Sequence, residues 1–103
     1  MISKLAQTIL SDILRHCSPQ KVILYGEKRT LSTSEIKSLD FCIILPEVDK
    51  PSLLHELYLT IDSPVPFNLL LYSCDEWEEL TEDFSSYASA IQKKGTVLYE
   101  QKP

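Results

Sequence analysis

Glycine is almost missing from this chain. Its 103 residues hold two, Gly26 and Gly95, whereas a Walker or dinucleotide-binding loop needs several close together so that backbone can approach phosphate. Neither loop can be written here. Cysteine is also scarce. Cys17, Cys42 and Cys74 are odd in number and lack CxxC spacing, so neither a disulfide framework nor a zinc ribbon is indicated and a reducing cytoplasm fits best. No apolar run reaches the length of a bilayer span, and the first helical stretch carries charges where a signal peptide would be apolar. Cations are outnumbered, 10 Lys and Arg against 15 Asp and Glu for a net charge of −5, so the basic footprint of a nucleic-acid binder is lacking. The expectation is a cytoplasmic protein with neither membrane nor nucleic acid as partner.

What is present suffices for a core. Hydrophobic residues make up 44% of the chain, and a chain of this length buries roughly 65% of its unfolded surface without needing disulfides or a metal. One domain over residues 1–103 is expected, with no internal repeat and no linker. The charge is uneven. Residues 1–37 hold six basic and three acidic side chains, net +3, and residues 38–103 hold four basic and twelve acidic, net −8.

Leu5, Ile9 and Ile13 beside Ala6, Leu10 and Leu14 form the stripe of an amphipathic helix, which Ser18-Pro19 stops. Lys21–Tyr25 reads as a short buried strand ending at Gly26. Glu27–Ser38, polar and rich in Ser and Thr, reads as a surface loop or short irregular helix. Leu39–Leu45 is a second strand, with Asp40, Cys42 and Ile44 sharing one face. A helix over Pro51–Ile61 presents Leu53, Leu54, Leu57, Tyr58 and Ile61. Pro66–Tyr72 is a third strand, with Asn68 and Leu70 on one face. Ser73 and Glu76 make a capping box for a helical segment around Trp77 and Leu80. A last helix over Ser85–Lys94 ends at Gly95 in the C′ position, and Thr96–Tyr99 is a short edge strand. Such alternation predicts an α/β (α+β) fold, a mixed sheet of three main strands plus a short edge strand with helices packed on it.

The order of these elements resembles the minimal nucleotidyltransferase family of the DNA polymerase beta-like superfamily. Its pattern is an apolar strand ending in Phe/Tyr-Gly-Ser, then Ser-Asp-x-Asp on the next strand and a lone Asp on the third. Tyr25-Gly26, Ser38-Leu39-Asp40-Phe41-Cys42 and Asn68 occupy those places, and Trp77–Tyr99 also resembles the family's C-terminal portion. In that family the Asp pair, roughly 7 Å apart at Cα on one strand face, joins the third Asp in clamping two Mg²⁺ ions about 4 Å apart. The ions hold a nucleoside triphosphate while pyrophosphate leaves, and the Gly-Ser turn offers its amides and hydroxyl to the phosphates.

This chain departs from that pattern at most of its points. Gly26 matches the turn glycine and Asp40 the first metal-binding Asp, although the loop before Asp40 is two residues longer than the family's usual spacing. Glu27 stands in place of Ser and sets a negative charge where phosphate belongs. Cys42 replaces the second Asp and Asn68 the third. Mg²⁺ selects hard oxygen ligands, so a thiol serves it poorly, and an Asn carbonyl brings no charge. One carboxylate of three remains. Asp40 is then a weak metal ligand, and Gly26, Lys28 and Arg29 a weak nucleotide-binding set. No cofactor is expected, with Mg²⁺ if the chain is active.

Each residue also has a plain structural reading. Asp40 caps a strand start at the surface, Cys42 is a small buried hydrophobe with no His beside it to lower its pKa, and Asn68 is a hydrogen-bonded amide. His16 and His55 lie apart on helices. The acidic run Asp75, Glu76, Glu78, Glu79, Glu82 and Asp83 is a solvated helix face.

The leading expectation is a degenerate nucleotidyltransferase-fold protein acting as an antitoxin-like interaction module. The resemblance implies an all-helical HEPN-type partner, and a homodimer stays open. The alternative is a Mg²⁺-dependent enzyme moving a nucleoside monophosphate from ATP to a protein, RNA or small-molecule hydroxyl, which would need Glu27 or Glu35 to rebuild the clamp. Between them lies a nucleotide-binding sensor without turnover.

Overall fold

A computed structural model describes residues 2–47 and 49–101. The elements run α1 (Lys4–His16), β1 (Lys21–Arg29), β2 (Ile36–Leu45), α2 (Lys50–Thr60), β3 (Phe67–Ser73), α3 (Cys74–Thr81), α4 (Tyr87–Lys94) and β4 (Thr96–Glu100). The strands form one mixed sheet in the order β3-β2-β1-β4. β1 is antiparallel to both β2 and β4, while β2 and β3 are parallel and joined across the sheet by α2. The expected architecture is therefore present, and no helix among the described residues is long and apolar enough to cross a membrane.

Alternation along the central strands sends side chains to two separate cores. Val22, Phe41, Ile43, Leu69 and Leu71 face Ala6, Ile9 and Ile13 of α1 and Leu57 of α2. On the opposite side, Ile23, Cys42 and Ile44 meet Trp77 of α3 and Ala88 and Ile91 of α4. Because both faces of β2 are covered, all five residues Phe41–Leu45 are buried, which suits its near-continuous apolar run.

Helix ends follow their capping chemistry. Ser3 accepts the amide of Ala6 at α1 and Asp49 that of Ser52 at α2, with Pro51 in the first turn. At α3, Ser73 Oγ accepts from the Glu76 amide at 3.1 Å while Glu76 Oε1 accepts from the Ser73 amide at 2.9 Å, the reciprocal box read from the sequence. Ser86 caps α4, so that helix begins at Tyr87 rather than Ser85. Gly95 ends α4 in extended conformation, not in the left-handed C′ geometry expected. Its lack of a side chain serves close packing instead, since a Cβ there would lie 2.3 Å from Ile23 Cγ2 and 2.7 Å from the Ile91 carbonyl.

The largest departure is at Glu27–Ser38. The expected loop is confined to residues 30–35, and the rest is strand. β1 runs on through Gly26 to Arg29 and pairs with β2 as a hairpin, Glu27 opposite Leu39 and Lys28 opposite Ser38. The turn is closed by Thr30 N–H donating to the Glu35 carbonyl at 2.9 Å, with Ser34 at a φ of 60°. Ladder bonds are made by backbone alone, so the polar arm pairs without an alternating apolar pattern to announce it.

Candidate functional site

Gly26, Asp40 and Asn68 lie in one row across three strands. Gly26 is the register partner of Asp40 on β1 and β2, and Asp40 the partner of Asn68 on β2 and β3. The row crosses the α3/α4 side of the sheet, beyond the end of the second core. Two residues further along β2 on the same face comes Cys42, at 0% exposure. The topology thus brings together the positions singled out along the sequence, although Cys42 lies beneath the surface that Asp40 and Asn68 share.

Asp40 is held from both sides. The Asn68 amide nitrogen donates to Asp40 Oδ1 at 2.8 Å. Oδ2 lies over Gly26, where a built Cβ would sit only 2.1 Å from it. Gly26 lies next to a register shift between Leu24 and Gly26 and has no positive φ, so its role is to admit a neighbouring carboxylate rather than to turn the chain about a phosphate. The atom that Asn68 turns to Asp40 is its nitrogen, a donor that cannot ligate a cation.

These donors do not fit a pair of Mg²⁺ ions. Asp40 offers the one carboxylate of the row, and among the described residues no three of His, Cys, Asp and Glu come together in a metal-binding group. Burial pushes the Cys42 thiol up to about 12, which keeps it protonated and a poor ligand at neutral pH. Glu27 and Glu35 do not rebuild a clamp. Glu27 Oε2 is 3.3 Å from Arg29 Nη2, and Glu35 lies at the far turn of the hairpin.

The basic residues are likewise placed along the hairpin. Arg29, besides pairing with Glu27, donates from Nη1 to the Ser34 carbonyl at 2.7 Å, tying strand to turn. Lys28 is exposed beside Ser38. His16 Nδ1 lies 3.2 Å from Glu56 Oε2 and bridges α1 to α2, the helices on the opposite face of the sheet, and His55 is exposed.

Sequence reading missed the groove beside Gly26. One cleft of about 230 Å³ is lined by Ile2, Leu24, Tyr25, Gly26, Glu27, Lys94 and Thr96, and a second of about 200 Å³ by Tyr25, Tyr87, Ala90, Ile91 and Lys94. Tyr25 and Lys94 belong to both. The Tyr25 and Tyr87 rings meet edge to face at 6.1 Å. Burial first, then Tyr87 and the Asp40 carboxylate, hold the Tyr25 phenol well above its ordinary range, so it stays a neutral donor. Tyr25 was visible beside the glycine, but only the fold carries Tyr87 and Lys94 to it. Comparison with protein-family models, curated proteins and solved structures finds no match for the chain.

Proposed function

We propose that this chain is a nucleotidyltransferase-fold protein that has given up metal-dependent group transfer and acts by binding another protein, in the manner of an antitoxin. The observation that carries this reading is the hydrogen bond from Asn68 to Asp40. Where a transferase needs three carboxylates around two dications, the row across β1, β2 and β3 holds one, and an amide proton already neutralises part of its demand for a cation. The element order supports the fold assignment, since strand, hairpin return, helix and parallel strand bring the three family positions into register. An all-helical HEPN-type protein is the partner this reading implies.

The groove favours a second reading, a sensor that binds nucleotide without turnover. Tyr25 and Tyr87 offer ring surface to a base and Lys94 a cation to a phosphate. Calorimetric titration with Mg-ATP separates the readings. The interaction module gives no heat at millimolar nucleotide. Heat abolished by Asp40→Ala returns the chain to the enzymes, and heat that survives Asp40→Ala but is lost in Lys94→Ala identifies the sensor.

A further inference from the structure

The corner joining α3 to α4 carries charge and apolar surface that the fold covers only in part, one edge of Tyr87 meeting Tyr25 and Lys93 Nζ lying 5.7 Å from the centre of the Phe84 ring. Asp75, Glu78, Glu79 and Glu82 follow one another at i, i+3, i+4 and i+7, so they share one helical face. All four are exposed, and none has an ion-pair partner among the described residues, whereas Glu76 beside them is paired with Lys50. Asp75 with Glu79, and Glu78 with Glu82, are like charges one turn apart, which weakens a helix. Only the first turn is compensated by the helix dipole.

At the end of this face, large apolar side chains stand in solvent. Phe84 is 84% exposed and Tyr87 62%, with Leu80 exposed beside them. Their turn is firmly built. Ser89, buried at 3% exposure, donates its hydroxyl to the Asp83 carbonyl at 2.7 Å, and Ser86 Oγ donates to the Leu80 carbonyl at 2.5 Å. Phe84 is thus presented on an ordered backbone, which lowers the entropy lost when it is covered.

The sheet edges are less available. At β3 the Leu69 amide is occupied by the Tyr58 hydroxyl at 2.8 Å. β4 is five residues long, and its pairing with β1 is interrupted by a register shift. Short, irregular or covered edges resist strand addition.

We infer that the α3/α4 corner docks a basic amphipathic helix of a partner protein, Phe84 entering its apolar stripe and the α3 carboxylates facing its Lys and Arg side chains. This rests on the reading of the chain as an interaction module and names the surface and chemistry of that interaction. Charge complementarity selects the occupant. Nucleic acid and anionic lipid are repelled by four carboxylates. A second copy supplies no such helix, because the apolar stripe of α1, the helix of the basic half, is spent in its own core through Ala6, Ile9 and Ile13. A helix laid in a groove with aromatic anchors is a recurrent recognition mode.

The probe is a fluorescein-labelled peptide about five turns long built of Leu and Lys at amphipathic helical spacing, with a scrambled peptide of equal composition and a Leu/Glu counterpart as controls. Fluorescence anisotropy on the full chain is expected to show saturable binding of the amphipathic Lys peptide that weakens with salt. Amide shifts are expected to be confined to residues 75–93. Phe84→Ser should weaken binding about ten-fold, and Glu78→Lys with Glu79→Lys should abolish it. Both changes are at exposed positions, so an unchanged circular dichroism melt verifies folding. Absence of binding, equal binding of the scrambled peptide or of Phe84→Ser, or shifts centred on the hairpin or β4 overturns the proposal. None of those results bears on the Mg-ATP titration, so the docking surface and the loss of transferase chemistry fail separately.

Discussion

The contact between Asp40 and Gly26 is the tightest statement in the molecule about why a given residue stands where it does. A methyl group at position 26 would meet Asp40 Oδ2, the end of a side chain that can rotate away only by leaving Asn68. Gly26→Ala is expected to cost about 1 kcal/mol, the worth of that hydrogen bond, and the cost should largely disappear in an Asp40→Ala background. Urea denaturation of the two single variants and the double variant measures the coupling, and additivity would show that the carboxylate does not lie on the glycine. Cys42 makes a second claim at this scale. Its thiol ordinarily ionises near 9 and is pushed to about 12 by burial. The folded chain then holds a proton that the unfolded chain releases, so stability is full below pH 9 and falls between 9 and 12, by about 1.4 kcal/mol per pH unit for such a group. Cys17, raised to about 11, adds a parallel loss. Cys42→Ala should make the decline between pH about 9 and about 12 less steep, and an unchanged slope would place the thiol in water. The sequence already suggested Cys42 as a small buried hydrophobe and Asn68 as a hydrogen-bonded amide. That the amide bonds Asp40 was beyond it, since the two are 28 residues apart.

The elements were legible where their chemistry is local or periodic. The Ser73/Glu76 box, the apolar stripe of α1 and the run of β2 each announce themselves within a few residues, and each is found near its expected place. The hairpin arm was not legible, because Glu27–Arg29 and Ile36–Ser38 are held by backbone pairing on an exposed ribbon. Gly26 read as a stop for the same reason, since a glycine admitting a side chain and a glycine turning a chain look alike in one sequence. Tyr58 shows how a residue expected in a stripe takes another task. Its ring stacks on Phe67 at 5.3 Å and its hydroxyl accepts the Leu69 amide, closing the edge of β3. Tyr58→Phe keeps the stack and removes the acceptor. Hydrogen exchange should then speed up at the Leu69 amide with a stability loss of about 1 kcal/mol, and equal protection in both proteins would mean that the edge is covered by something else.

Across the whole molecule, a four-stranded mixed sheet lies between helix pairs, and its open end collects Gly26, Asp40, Asn68 and the Tyr25 groove. Element order made this architecture readable, while the groove depended on α4 folding back over β1. The charge asymmetry read from composition resolves into places as well. The basic half gives the hairpin, where Arg29 is tied to Glu27 and Ser34, and the acidic half gives the unpaired face of α3. A surface so divided suits a protein that selects a charged partner. The central claim, that the row of Gly26, Asp40 and Asn68 does not take a pair of dications, is open to a direct reading by titrating Mn²⁺ into ¹⁵N-labelled protein and following paramagnetic broadening of amide signals. The expected result is no saturable broadening at residues 26, 40 and 68 at millimolar Mn²⁺, with only weak, salt-sensitive effects along the carboxylates of α3. Saturable broadening centred on Asp40 and lost in Asp40→Ala would contradict it.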